Sequence, residues 1–141
     1  MKTKHTCYTY FFITGIFDTK EISKRLGLEP TDEWQMDKTD QNGNHYEESY
    51  WQIGLCENYD PYVFNMMRET IKPLLGKEKE LKAIKEEFKV RMFLEVVCSM
   101  NPKEVLPAFG PTPDIVDFLH DSGVELDYDM YIDETDENPI N

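Results

Sequence analysis

The residues with the clearest chemical potential are three carboxylates near the end of the chain, Glu125, Asp127 and Asp129. In a β-strand, side chains two positions apart point to the same face and lie roughly 7 Å apart. Neighbouring carboxylates repel one another, and a hard cation such as Mg²⁺ or Ca²⁺ relieves that repulsion. The spacing is therefore compatible with a divalent-metal site, to which His120 and Asp121 could add ligands.

The same alternation of acids is also typical of a solvated sheet face or of a sheet edge that charge protects from pairing. We favour this structural interpretation, because no glycine-rich ligand loop accompanies the acids. The sequence contains no nucleophile elbow, phosphate loop, dinucleotide fingerprint or zinc-protease motif. It therefore predicts no catalytic residue, no cofactor and no metal ligand, and it gives no motif that supports an enzyme.

Aromatic side chains form the second group of candidates. Trp34, Tyr46, Tyr50 and Trp51 lie in a predicted hairpin, where they are either a binding platform or cross-strand pairs that stabilise the strands. Phe109 lies in an apolar, proline-rich segment at 100–111, which either plugs the core or lines a site, and we expect it to plug the core. The candidate interaction or ligand face therefore comprises Glu125, Asp127, Asp129, Trp34, Tyr50 and Phe109.

Charge is distributed unevenly along the chain. The net charge is −13 over 141 residues, and residues 101–141 hold one Lys/Arg against 11 Asp/Glu. A surface of this sign repels phosphate backbones, so we expect no nucleic-acid binding, and it attracts basic proteins or cations. Solubility alone is the alternative explanation.

Hydrophobic periodicity predicts the elements that position these residues. Asp18 is a predicted N-cap with Glu21 three residues later, and Gly27 suits the left-handed position after the helix. Asp60 and Pro61 are predicted to open the second helix, which should kink or end near Pro73. The predicted strands cover 8–13, 33–38, 45–56, 90–99 and 124–132, and the other two helices cover 78–88 and 112–123.

The predicted order is β-α-β-β-α-α-β-α-β. This order favours an α+β fold, with an antiparallel-rich sheet and helices packed mainly on one face, and it is compatible with a ferredoxin-like arrangement. We expect residues 1–132 to form a single α+β domain and residues 133–141 to form an acidic C-terminal tail.

Several segments resemble the family known as domain of unknown function 4279. They are FFITGIFDTKEISKRLGLEPT followed by Trp34, then YWQIG, then DFLHDSGVELDYDMY. The resemblance implies the architecture above and a bacterial origin, and it implies no activity. Relatives often carry a basic Lys-Gly stretch after the first Trp, where this chain has Gln35, Met36 and Asp37. This difference argues against a function tied to a positive patch on the hairpin.

Cys7, Cys56 and Cys98 lie in apolar, strand-like settings without metal-binding spacing. We interpret them as buried thiols in a reducing compartment. The first residues lack the apolar core of a secretory signal, no run is apolar enough to span a membrane, and we expect a cytoplasmic location without membrane contact.

The main functional hypothesis is a non-enzymatic protein-interaction module, of the immunity or antitoxin type, whose acidic surface docks on a basic protein. The alternative hypothesis is a small-ligand or divalent-metal-binding domain. Its site would lie between residues 100–111, the last strand and the hairpin aromatics. The sequence does not indicate the oligomeric state.

Overall fold

A computed structural model describes residues 5–133, and the elements follow the predicted order. They are β1 Thr6–Gly15, α1 Thr19–Leu26, β2 Asp32–Trp34, β3 Ser49–Cys56, α2 Val63–Ile71, a 3-10 turn Lys72–Leu74, α3 Glu78–Phe88, β4 Arg91–Met100, α4 Pro113–Ser122 and β5 Glu125–Ile132. The α+β prediction is confirmed. Of the predicted acidic tail, residues 134–141 lie outside the described residues.

The five strands form one mixed sheet in the order β2-β3-β1-β4-β5. β1 pairs antiparallel with both β3 and β4, and β2 pairs antiparallel with β3. The order and directions of these four strands are those of a ferredoxin-like β-α-β-β-α-β arrangement. After them, α4 returns the chain so that β5 runs parallel to β4, which is the connection that a parallel pair requires.

The helices cover one face of the sheet, and the hydrophobic core lies between that face and the helices. Alternate residues of β1 point into this core, including the fully buried Phe11 and Ile13, because side chains of a strand alternate between its two faces. The other buried side chains of the core include Ile22, Leu26, Trp51, Met66, Met67, Leu81, Ile84, Met92, Leu94, Ile115 and Phe118.

Local signals in the sequence set the ends of the helices. The Asp18 side chain accepts a hydrogen bond from the Lys20 N–H, and Gly27 takes a left-handed conformation with φ 66° and donates its N–H to the Ser23 carbonyl. The predicted bounds of α3 are confirmed residue for residue. α4 runs from Pro113 to Ser122, with Thr112 at its N-cap and Gly123 in a left-handed conformation at its C-cap, close to the predicted bounds.

The predicted start of α2 is wrong by two residues, since the helix begins at Val63 rather than Pro61. The Asp60 carboxylate still accepts the Tyr62 N–H at 2.8 Å and the Asn65 side-chain amide at 3.1 Å. Pro61 instead accepts a hydrogen bond from Ala108 through its carbonyl, which fixes the segment before the helix in an extended conformation. A tertiary contact therefore displaced the helix start.

On β3 the apolar side chains Trp51 and Ile53 are buried, whereas Leu55, two positions further along the strand, is 44% exposed. The pairing with β1 shifts register here, so the alternation is interrupted. The register shift occurs at Gly54, which has a φ of 76°. There is no room for a side chain at this position. An added Cβ would lie 2.5 Å from the Thr70 carbonyl oxygen.

The interpretation of all three cysteines as free thiols is wrong for two of them. Cys7 on β1 and Cys98 on β4 are direct partners across the antiparallel pair, and they form a disulfide. Both side chains are buried on the helix-covered face. Cys56 remains a free thiol and is half-buried. The register between β1 and β4, which the sequence alone does not reveal, brings the two cysteines together.

Candidate functional site

The face of the sheet opposite the helices is the candidate functional site, and we call it the open face. Within residues 5–133 no helix packs over it, and its strand side chains are mostly half-buried or exposed. Strand register defines its members. They include Tyr8, Tyr10, Phe12, Thr14, Asp32, Trp34, Tyr50, Gln52, Arg91, Phe93, Glu95, Val97, Glu125, Asp127, Asp129 and Tyr131.

A continuous row of aromatic rings crosses the open face. At one end Trp34 stacks on Tyr50, with ring centroids 4.1 Å apart, and on Tyr46, with centroids 5.2 Å apart. The row continues through Phe12, whose centroid lies 5.3 Å from that of Tyr50 and 5.0 Å from that of Phe93. Such cross-strand pairs stabilise the sheet, but their outer surfaces remain exposed to solvent.

The row reaches the carboxylates through two tyrosines. Centroid distances are 5.8 Å from Phe12 to Tyr10 and 6.0 Å from Tyr10 to Tyr8. Burial, with the nearby charge of Glu95 second, raises the pKa of Tyr10 to about 12. Tyr10 therefore keeps its hydroxyl proton at neutral pH, and the acidic end of the face presents neutral donors beside carboxylates.

Glu95 is the most unusual acid of the face, because it is only 6% exposed although it lies on the open side. Its register partner on β5 is Asp127, and the two carboxyl groups are in hydrogen-bonding contact. Burial is the main cause that raises the pKa of Glu95 to about 8, followed by the hydrogen bond and charge of Asp127 and by the charge of Asp129. At neutral pH the protonated Glu95 donates to the Asp127 carboxylate.

The acids of β5 differ in their partners. Glu125 is paired with Arg91, whose Nη2 lies 3.2 Å from a Glu125 oxygen and whose guanidinium lies over the Phe93 ring, 4.7 Å from its centroid. Asp129 accepts a hydrogen bond from the Tyr131 hydroxyl at 2.9 Å. Among the described residues no cationic side chain pairs with Asp127 or Asp129, so these two acids carry most of the uncompensated negative charge of the face.

The structure brings together five of the six side chains predicted for the interaction face. Glu125, Asp127 and Asp129 share one end of the open face, and Trp34 and Tyr50 lie toward its other end. The sixth, Phe109, does not lie on the open face. Phe109 packs against the core on the helix side and meets the ring of Tyr128 edge-on, with centroids 6.0 Å apart. The expectation that the 100–111 segment plugs the core therefore holds for Phe109 but is wrong for Val105 and Leu106, which are 92% and 59% exposed.

Sequence reasoning missed the aromatic side chains of β1 and the carboxyl group of Glu95. The signal for the first was the alternation in TCYTYFFITG, where Tyr8, Tyr10 and Phe12 all fall on one face. The signal for Glu95 was its position as the only charge in the middle of an apolar strand. Neither pattern by itself indicates that helices leave this face uncovered.

The proposed metal and small-ligand sites are not assembled as the sequence suggested. Among residues 5–133 no group of three or more His, Cys, Asp or Glu side chains is arranged to hold a metal ion. Phe109 of the 100–111 segment packs against the core on the helix side, whereas Trp34 and Tyr50 lie on the open face, so these side chains line no common pocket. A hollow of about 630 Å³ does lie beside Trp34, where residues of the hairpin and the end of β1 line it. It opens widely to solvent.

The site is thus an exposed aromatic and acidic face on an α+β protein with a ferredoxin-like strand order. A family model matches residues 5–133, and the chain belongs to the family described as Domain of unknown function (DUF4279). No curated protein and no solved structure matches the chain. None of the helices within residues 5–133 is long and apolar enough to cross a membrane.

Proposed function

We propose that this protein is a non-enzymatic interaction module that binds a basic protein through the open face. The observation that supports this function is the combination, on one uncovered sheet surface, of a row of aromatic rings and an excess of carboxylates. Large partly exposed apolar surfaces rimmed by polar groups mark interaction sites. Tyrosine and tryptophan are also the residues that most often dominate the binding energy of protein interfaces.

The chemistry of the face favours a partner rich in arginine or lysine. A guanidinium group can stack on the exposed faces of Phe12 or Tyr50, while Asp127 and Asp129 supply carboxylates for ion pairs. Arg91 already makes these two kinds of contact, with Phe93 and Glu125, within the chain itself. An incoming arginine would repeat that arrangement.

The shape of the face favours a protein over a small molecule. Small-ligand sites are concave and enclose most of the ligand, whereas protein interfaces spread over roughly 800 Å² on each partner. The candidate side chains here extend across all five strands, and the hollow beside Trp34 is open to solvent. An immunity or antitoxin-like role on a basic toxin is one function that such a surface would serve.

The test is a titration of the chain against the product of the adjacent gene. The chain is prepared in three forms: native, Asp127→Asn with Asp129→Asn, and the control Glu86→Gln with Asp117→Asn. The control removes the same amount of charge from exposed positions on α3 and α4. We expect the first pair to weaken binding about tenfold and the control to change it less than twofold. Affinity should also fall as salt is raised.

Equal losses in both double variants would show that only net charge matters, and that result would contradict the open face as the binding surface. Binding that is insensitive to salt would contradict a basic partner. Replacing Trp34 with alanine gives an independent comparison, because it removes the best-stacked ring of the face without changing its charge.

The cytoplasmic location predicted from the sequence remains part of this proposal. The disulfide between Cys7 and Cys98 is the feature that tests it, because structural disulfides are rare in reducing compartments. In a cytoplasmic protein we expect Cys7 and Cys98 to be kept as thiols and to form this disulfide only in an oxidising medium. Alkylation of acid-quenched, denatured cells, followed by mass spectrometry, should therefore find both cysteines alkylated. A persistent disulfide in protein taken directly from cells would contradict the cytoplasmic location.

A further inference from the structure

The strand β5 is one edge of the sheet. In the strand order it follows β4 and has no further neighbour among the described residues. Seven of its eight residues are exposed, and only Leu126 is half-buried. An edge strand of this length offers a row of backbone donors and acceptors to another strand, and proteins normally limit such pairing with proline, bulges, charged side chains or a covering element.

The direction of the unpaired backbone groups follows from the register with β4. The eight paired positions run from Phe93 with Glu125 to Met100 with Ile132 without a bulge. Just beyond them, the Asp133 N–H donates to the Met100 carbonyl at 2.7 Å. In a regular parallel ladder, alternate residues direct both backbone groups to the same neighbour. The N–H and C=O groups of Leu126, Tyr128, Met130 and Ile132 therefore point away from β4.

The two faces of this edge differ in chemistry. On the open face, Asp127 and Asp129 stand next to the edge. On the helix side, Tyr128, Met130 and Ile132 alternate with them and are 36%, 39% and 57% exposed. An added strand would therefore have one row of side chains beside carboxylates and the other row beside apolar groups.

We propose that β5 binds an extended segment of the partner as an additional strand. This inference rests on the proposed function and specifies the form of the basic partner. The segment alternates lysine or arginine, placed beside Asp127 and Asp129, with apolar residues placed beside Tyr128 and Met130. Main-chain hydrogen bonds to the outward groups of β5 provide affinity, and the alternating side chains provide specificity.

A second copy of this chain is the competing occupant of the edge, and charge disfavours it. Pairing β5 with β5 of another molecule would bring Asp127 and Asp129 close to the same acids of the second chain. Like charges on neighbouring strands are destabilising, and each chain carries a net charge of −13. A basic segment removes this repulsion.

The probe for the test is a synthetic ten-residue peptide that alternates lysine and valine and carries a fluorophore. One control peptide has the same composition, with lysines and valines in separate blocks. A second control carries N-methyl groups on alternate backbone amides, so that it cannot complete the ladder. Fluorescence anisotropy with the native chain measures all three, and hydrogen exchange reports protection of the Tyr128 and Met130 amides.

Two variants of the chain isolate the backbone contribution. Met130→Pro removes one outward N–H, which an edge strand tolerates, and Met130→Ala keeps the N–H but removes the same apolar side chain. We expect Met130→Pro to bind the alternating peptide about tenfold more weakly than Met130→Ala. The block peptide and the N-methylated peptide should bind the native chain more weakly by a similar factor. The N-methylated peptide keeps the test valid if Met130→Pro fails to fold.

Strand addition would be overturned by two results together. Met130→Pro and Met130→Ala would bind the alternating peptide equally well, and the native chain would bind the N-methylated and unmethylated peptides equally well. If the alternating peptide then lost its binding only in the variant with Asp127→Asn and Asp129→Asn, the open face would still be supported as the binding surface. Only the addition of a strand at β5 would be refuted. Absence of binding by the alternating peptide would also overturn the edge proposal, while the titration against the intact partner would still decide the proposed function. A dimer that forms through β5 would overturn the assignment of the edge to a basic segment.

Discussion

Replacing Glu95 with glutamine keeps the size of this buried side chain and its ability to donate a hydrogen bond to Asp127, but removes its ability to ionise. In the folded chain the pKa of Glu95 is raised from 4.5 to about 8, mainly by burial. In the unfolded chain the pKa returns to its ordinary value. Between these two pH values the folded state holds one proton more than the unfolded state, so the native chain loses stability as pH rises.

The magnitude follows from the width of that pH window. Each pH unit between the two pKa values corresponds to about 1.4 kcal/mol, so complete burial of the charge would cost about 5 kcal/mol above pH 8. The neighbouring carboxylate of Asp127 is exposed, and water beside it screens part of this cost. We therefore expect an effect of about 2–4 kcal/mol. This stabilising contribution is fully present below about pH 4.5 and lost above about pH 8.

The assay is urea denaturation of the native chain and of Glu95→Gln at pH 5, 7 and 9. The two should have similar free energies of unfolding at pH 5, where Glu95 is protonated in the folded chain. The variant should become more stable than the native chain by about 2–4 kcal/mol at pH 9. Comparing the two proteins at each pH cancels the titration of all other groups. Asp127→Asn is the comparison variant, because it removes the hydrogen-bonded charge and should reduce the pH dependence without abolishing it, since burial is the main cause of the raised pKa of Glu95.

Parallel pH profiles for the native chain and Glu95→Gln would refute the reasoning. They would show that Glu95 ionises in the folded chain without cost, and hence that water reaches this part of the open face. A variant that is less stable at every pH would instead show that the glutamine amide does not replace the protonated carboxyl in its contact with Asp127.

Two further predictions concern the framework of the sheet. Gly54→Ala should lower the free energy of unfolding by about 3–5 kcal/mol in denaturant titration, because the new Cβ meets the Thr70 carbonyl. The matched control Gly27→Ala, with a similar φ and open space around it, should cost only about 1–2 kcal/mol, and equal costs would contradict the steric argument. Reduction of the Cys7–Cys98 disulfide, which spans 91 positions of the chain, should lower that free energy by about 2–4 kcal/mol. An unchanged urea midpoint with reductant would contradict a stabilising role for the bond.

Most of the elements were predictable because their signals are short-range. The N-cap at Asp18 and the left-handed Gly27 set α1, and the apolar spacing of Leu81 and Ile84 set α3. The errors occurred where a distant segment intervened. The register shift in β3 exposes Leu55 because β3 must pair with β1 and pack on α2 at the same time.

The candidate site was predictable in part for the same reason. The acids of β5 share a face because strand geometry fixes a period of two, whatever surrounds the strand. The contact between Glu95 and Asp127 depends on which strand lies beside β5, and the stacking of Trp34 on Tyr50 depends on the register of β2 with β3. The misplacement of Phe109 has the same origin, since an apolar loop residue can pack on either side of a sheet.

The sequence by itself determined the local conformations, the family and the negative charge of the last forty residues, because each follows from neighbouring residues or from composition. Only the tertiary structure decided which face the helices leave uncovered, which acids and rings meet on it, and that β5 is an edge. The physical reason is that strand order and register are set by packing between segments far apart in the chain. β1 and β4, for example, pair positions that are 77 to 93 residues apart, from Thr14 with Arg91 to Thr6 with Ser99, and no local pattern encodes that pairing.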